Sequence, residues 1–297
     1  MERKDFELLT DILKREDGIP ETLQKKFADR FRYDGPADDG AIRAYCREQL
    51  KPYEVKRAVF LAAGFGSRML PITINTPKPL VRVNGKRIIE TILDAVLAKG
   101  IEEIYIVRGY LGEEFDVLLG KYPMIRFIEN PEYENTGTIS SFYYARDHLE
   151  NAYVLESDLV IQNPEVIRKY HYASDFAGSR IDKTDDWYFK ADGNDRIYEI
   201  GVGGEGNGCY KLIGMSYWNG EDGRKLARHI RKAYEAPDGK KLPMSFVPFR
   251  VYRDQYDVLI SKCQENDVVE IDSFRELQMY DENYRMNDEI NSIGGTK

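Results

Sequence analysis

The chain has 297 residues, with 51 Asp and Glu against 43 Lys and Arg, for a formal net charge of −8. That balance excludes a protein whose work is to coat nucleic acid, which needs an excess of basic side chains to displace counterions from phosphates. A hydrophobic share of 42% with 12% aromatic residues excludes a disordered chain.

Length allows one large or two modest domains. The opening MERKDFELLTDILKRED has no apolar run of signal-peptide length, and no later stretch is long enough to cross a bilayer, so a cytoplasmic location without membrane insertion is expected. Cys46, Cys209 and Cys263 stand apart without CxxC spacing, which points to neither a disulfide framework nor a zinc cluster.

Residues 1 to about 50 have helical rather than strand periodicity. Leu8, Leu9, Ile12 and Leu13 share a helical face, and Asp17-Gly18-Ile19-Pro20 ends that pattern. A second helix from about Glu21 carries Leu23, Phe27 and Phe31 at i, i+4 and i+8. Gly35-Pro36 and Asp38-Asp39-Gly40 break it, and Ala41 to Leu50 forms a third. The boundary falls near residues 51–56, dividing a helical extension, 1–54, from a unit over 55–297.

From there strands alternate with helices, the α/β signature of a largely parallel sheet. Strands are expected at Ala58–Ala62, Glu103–Arg108, Ile125–Glu129, Ala152–Glu156 and Asp175–Ser179, with helices around Ile88–Ala98, Glu113–Leu119 and Ser140–His148. After Ser179, Trp187–Ala191, Arg196–Gly201 and Leu212–Trp218 read as antiparallel strands, followed by helices over Gly223–Tyr234 and Ser273–Tyr284.

The most informative segment is Leu61-Ala62-Ala63-Gly64-Phe65-Gly66-Ser67-Arg68, followed by Thr76-Pro77-Lys78-Pro79-Leu80. A strand that runs into two glycines lets backbone amides approach a phosphate chain, and the nearby Arg adds charge. Leu70 stands where a dinucleotide fingerprint needs its third Gly, and no GK[ST] follows to make a Walker loop. A GxG alone describes a structural turn equally well; the PKPL run narrows the reading. Asp158 follows an apolar strand at its carboxyl end, a place suited to holding Mg²⁺ against a triphosphate, with a turn or capping role as the competing reading.

The pair LAAGxGxR and PKPL resembles the nucleotidyltransferase family, which includes sugar-1-phosphate nucleotidylyltransferases and bacterial CTP:phosphocholine cytidylyltransferases. The resemblance covers roughly residues 57–285. It implies a Rossmann-like nucleotidyltransferase fold with a mostly parallel central sheet and a small antiparallel acceptor-binding subdomain. The nucleotide-binding half would span about 55–180 and the acceptor-binding part about 181–285, with the N-terminal helical extension outside the family pattern.

By that resemblance Leu61, Ala62, Ala63, Gly64, Phe65, Gly66 and Ser67 wrap the nucleoside triphosphate, while Arg68 and Lys78 hold its phosphates. Gly109, Tyr110 and Asn130, at the carboxyl ends of two strands, contact the nucleotide or order its loop. One or more of Thr138, Ser140 and Ser141 sits near the base or ribose, although these hydroxyls equally read as helix caps. Asp158 and Asp272 are the implied metal ligands, Asp272 competing with an N-cap role before the last helix. Lys183 reaches the α-phosphate and the acceptor phosphate, offsetting the repulsion between two anions brought within bonding distance.

The spacing K-T-x-x-W, then G-x-S-Y-W, resembles the phosphocholine enzymes more than the sugar enzymes. Trp187, Tyr188, Tyr217 and Trp218, with Asp185 or Asp186 beside them, would cage an ammonium through cation–π attraction; each aromatic equally suits the core. The implied activity is Mg²⁺-dependent transfer of CMP from CTP to phosphocholine or a similar small amino-alcohol phosphate or phosphonate, releasing pyrophosphate. A sugar-1-phosphate nucleotidylyltransferase and a non-catalytic nucleotide-binding regulator are the alternatives. No nucleic acid polymer is expected as a partner, and for the N-terminal extension, residues 1–54, packing on the core, pairing with a second copy and a lost or partnered module are all open.

Overall fold

A computed structural model describes residues 1–285. Residues 286–297 of the expected 55–297 unit lie outside the described residues.

Helices α1 (Arg3–Lys14), α2 (Glu21–Phe31) and α3 (Asp39–Leu50) form the extension. The Asp38 carboxylate accepts from Ala41 N at 2.9 Å and starts α3. Leu9, Ile12, Phe27, Ile42, Cys46 and Leu50 make a small core of their own, completed by Tyr53 near the extension's end and by Tyr170 and Tyr172 from the following unit.

Strand β1 (Arg57–Ala62) is apolar throughout its middle because both faces are covered: Ala58, Phe60 and Ala62 enter one core and Val59 the other. The short hairpin β2 (Arg82–Val83) and β3 (Lys86–Arg87) leads into helix α4 (Ile88–Ala98), where the Glu90 carboxylate accepts from Arg87 N. Then come β4 (Glu103–Arg108), β5 (Ile125–Glu129), helix α5 (Ile139–Ala145), β6 (Ala152–Glu156) and β7 (Leu159–Ile161). Strands β8 (Asp175–Arg180), β9 (Lys183–Ala191), β10 (Ile197–Glu205) and β11 (Cys209–Trp218) precede helix α6 (Gly220–Glu235). The described chain closes with β12 (Leu259–Cys263), β13 (Val268–Glu270) and helix α7 (Phe274–Tyr280).

Strands β5, β4, β1 and β6 run parallel and side by side. β11 pairs antiparallel with β6, so the antiparallel strands continue one nine-stranded sheet instead of forming a sheet apart. The β13–β7 pairing is a separate two-stranded ladder that seats Glu270 opposite Leu159.

Three expected elements differ in kind. Residues Gly112–Gly120 form a 3-10 run, in keeping with burial of only Phe115 and Leu118, whose i, i+3 spacing suits three residues per turn. The helix expected over Ser140–His148 is α5 followed by a 3-10 turn, Arg146–His148. The helix expected over Ser273–Tyr284 stops at Tyr280, because the Asp281 carboxylate accepts from Asn283 N and Asn84 N and turns the chain. Cys46, Cys209 and Cys263 are buried free thiols. Among the described residues no helix is long and apolar enough to cross a membrane.

Candidate active site

The carboxyl ends of β1 and β6 open onto a cavity of about 450 Å³, where an open α/β sheet places its ligands. Leu61, Ala62, Ala63 and Gly64 form one wall. Gly66 has φ +68°, and a Cβ there would meet Lys78 Cβ at 3.0 Å, so glycine lets this loop press against the stem of Lys78. Tyr110 holds the loop from behind: its N–H donates to Ala63 O at 3.1 Å and its hydroxyl to Thr73 O at 2.8 Å. Its ring meets exposed Phe65 edge-on at 4.5 Å. Gly109 is required where it stands, since a Cβ would lie 2.6 Å from the Tyr133 ring.

Lys78 is buried, and its Nζ donates to Asp158 at 2.7 Å and Asp272 at 2.8 Å. Burial opposes its charge, but the two carboxylates outweigh that and raise its pKa. Arg68, largely exposed, donates to Asp272 at 2.9 Å. The competition over Asp272 is resolved by its neighbour: Ser273 caps α7 by accepting from Glu276 N, leaving the Asp272 carboxylate to Lys78 and Arg68.

Glu156, Asp158 and Glu270 each offer an oxygen within 4.8 Å of the others. Asp158 Oδ1 is buried without a hydrogen-bond partner. A Cβ at Gly214 would sit 2.4 Å from Glu156 Oε2, so glycine there leaves room for the carboxylate. Three hard oxygen ligands with one orphaned lone-pair atom fit a divalent cation. Of the two expected ligands, Asp158 lies in this trio, while the Asp272 carboxylate faces Lys78 and Arg68.

Burial, then the Asp158 charge, pushes the Glu156 carboxyl well above the usual range, and burial followed by Asp158 and Asp272 raises Glu270 to about 7. In the cation-free fold these groups keep protons that the unfolded chain has lost. Stability is therefore expected to fall as pH rises from about 4.5 to about 7, and to recover when a divalent cation is added. Urea midpoints in EDTA at about pH 5 and about pH 7.5, repeated with excess cation, measure this; a flat profile contradicts it.

Thr138 and Ser141 line the cavity, whereas Ser140 lies behind it, donating to Gly137 O. Asn130 Nδ2 donates to Ser140 Oγ at 2.9 Å and Ser141 Oγ at 3.2 Å, and so fixes the start of α5 from outside the cavity. Thr138 makes no capping bond; its Oγ1 accepts from Met244 N and ties the wall Pro243-Met244-Ser245 to the nucleotide side. Gly137 N donates to Lys240 O, and a Cβ on Gly137 would lie 2.8 Å from Leu242 O.

Trp187 and Asp186 also line the cavity, the Trp187 ring packed edge-on against Phe246 at 5.7 Å. Tyr217 and Trp218 do not join them. Both are 0% exposed, because neighbouring residues on β11 point to opposite faces and both faces are covered. Tyr217 stacks on His171 at 4.3 Å, and Trp218 Nε1 donates to Ser216 Oγ at 3.0 Å. Trp218→Ala is expected to cost roughly 3–5 kcal/mol in urea unfolding with activity per folded molecule kept, as a core residue requires. Tyr188 covers the glycines of β10 and donates to Glu199, away from the cavity, and Asp185 is exposed outside its walls.

Lys183 is also displaced from its expected place. It is the exposed first residue of β9, paired with Glu205, and does not line the cavity. Lys211 stands nearer the chemistry, its Nζ 3.6 Å from Asp186 and 3.8 Å from Glu270. Sequence reasoning overlooked Lys211 and Glu156 and gave Glu270 no role. The two E-x-D runs, Glu156-Ser157-Asp158 and Glu270-Ile271-Asp272, carried a usable signal, since i and i+2 share a face of extended chain.

The model of the nucleotidyl transferase family matches residues 57–183. A 2-aminoethylphosphonate cytidylyltransferase of Lancefieldella rimae is 36% identical over 234 residues, spanning 78% of this chain and 94% of the relative. A choline-phosphate cytidylyltransferase of Streptococcus pneumoniae is 31% identical over 229 residues, 76% of this chain and 97% of the relative. The solved structure of the Streptococcus pneumoniae CTP:phosphocholine cytidylyltransferase matches with a TM-score of 0.70 at 30% identity, covering 77% of this chain and 99% of that one.

Proposed function

The chain belongs to the nucleotidyl transferase family, and from that premise we propose a Mg²⁺-dependent cytidylyltransferase that joins CMP from CTP to a small amino-bearing phosphate or phosphonate, releasing pyrophosphate. The observation that carries this reading is that one cavity is lined together by the glycine loop, Lys78, the carboxylates, Trp187 and Asp186. Relatives matched over nearly their whole lengths are named for CTP-dependent transfer to phosphocholine and to 2-aminoethylphosphonate, which supports the donor and the acceptor class.

In the proposed reaction an oxygen of the acceptor phosphate attacks the α-phosphorus of CTP, and the bond from that phosphorus to the bridging oxygen breaks, pyrophosphate leaving with the electron pair. The attacking oxygen is already ionised, so no side-chain base is needed. What the chain must supply is positioning and fixed positive charge where two anions meet. Lys78, held by two carboxylates, meets that need without reorganising, and exposed Arg68 would exchange Asp272 for the departing phosphates. Glu156, Asp158 and Glu270 would hold Mg²⁺, which neutralises triphosphate oxygens when bound. The Trp187 face and the Asp186 carboxylate would receive the acceptor's ammonium group.

Pyrophosphate release from CTP, UTP, GTP and dTTP, each offered phosphocholine, 2-aminoethylphosphonate and sugar-1-phosphates, tests the assignment. CTP with an amino-bearing acceptor is expected to lead. Preferential turnover of a sugar-1-phosphate overturns the acceptor, and preference for another nucleotide overturns the donor.

A further inference from the structure

A second cavity, of about 730 Å³, lies between the helical extension and the body of the chain, on the far side of β8 from the first. Its walls are α1, the end of α3, the segment Ile167–Asp175 and the start of β12. Six basic side chains face four acidic ones across it, a positive excess on a chain whose net charge is −8. Some of the cations are already matched: Arg3 with Asp195 at 2.8 Å, and Lys99 with Glu165 at 2.6 Å. Half-buried Arg168 and exposed Arg47 have no acidic partner among the described residues. A half-buried guanidinium without a counter-charge is costly unless an anion answers it, and its planar fork suits phosphate.

The same cavity offers aromatic walls. Phe6, Tyr170 and Tyr172 line it at the margin of the extension's core, where Phe6 and Tyr172, with ring centroids 5.7 Å apart, also pack on Tyr53. Unpaired arginines beside aromatic faces, in a volume within the range of small-molecule sites, match a ligand with a phosphate at one end and a planar ring at the other. We propose that this cavity binds a nucleoside phosphate, at a site separate from the one that does the chemistry. On β8, Asp175 faces this cavity and its neighbour Phe176 lines the first, so a ligand here would press on the strand that walls the catalytic site.

The proposal does not rest on the acceptor assignment, and its test keeps the two apart. Lys78→Met weakens the first cavity, and EDTA removes the cation. Under those conditions equilibrium dialysis with labelled CTP, ATP and CMP is expected to show about one nucleotide per chain. The double variant Arg47→Gln, Arg168→Gln in the same background should weaken that binding roughly tenfold or more. Should the double variant fold poorly, Arg47→Gln alone, on an exposed position, should weaken it in the same direction. Absence of stoichiometric binding by the Lys78→Met chain, or binding that the arginine variants leave unchanged, overturns the proposal.

Discussion

Lys78→Met is expected to lower CTP turnover by about a thousandfold or more, equivalent to about 4 kcal/mol of transition-state stabilisation. The size follows from where the charge sits. Lys78 is buried in the cavity wall with its Nζ already bonded to Asp158 and Asp272, so in the proposed reaction its positive charge would meet the phosphates without the cost of being ordered. Methionine keeps the length of the stem that packs against Gly66 and removes only the charge and its donors. The fold should survive, because Asp272 keeps Arg68 and Asp158 retains access to a cation. Pyrophosphate release and a urea midpoint on the same preparation separate the two effects. Turnover within tenfold of the parent would remove Lys78 from the mechanism.

Asp158→Asn should be as damaging to turnover, by a different route. The amide keeps the shape but withdraws one negative charge from the trio with Glu156 and Glu270, and puts a poorer ligand in place of the orphaned Oδ1. Affinity for a divalent cation is expected to fall by more than tenfold, read by calorimetry with Mg²⁺ or by the paramagnetic signal of free Mn²⁺. Since Asp158 also anchors Lys78, combining the two substitutions should cost far less than the product of their separate losses. Full additivity would mean that the two residues act independently, and unchanged cation affinity would mean that Asp158 is not a ligand.

What sequence revealed and what it hid divide along a physical line. The glycine loop, PKPL and Asp158 are readable because each function is local: a strand runs out, glycines follow, and the charged residue lies a few positions on. The extension's helices and most strands are legible for the same reason. Glu270 reaches Asp158 only because β13 pairs with β7 across more than a hundred residues, a partnership no local spacing reports. Tyr217 and Trp218 mislead in another way. Alternation tells which faces they point to, but the burial of both faces depends on layers formed by distant segments. Lys183 follows the end of β8 by a two-residue break and opens β9, where its side chain is exposed.

The tie between Gly137, Lys240 and Leu242 bears on how such an enzyme can diversify. The stretch bearing Pro243, Met244 and Ser245 lines the first cavity, and its backbone is held by the Gly137 N–H at Lys240 O and by Thr138 Oγ1 at Met244 N. Because both anchors are backbone groups of the wall, its side chains can be exchanged with the anchorage left standing, provided position 137 stays without a side chain. The wall and its anchor thus form one unit, and an exchange of the wall between related chains has to carry a glycine at position 137 with it. A graft that omits it would fail at the anchorage, whatever its side chains could recognise.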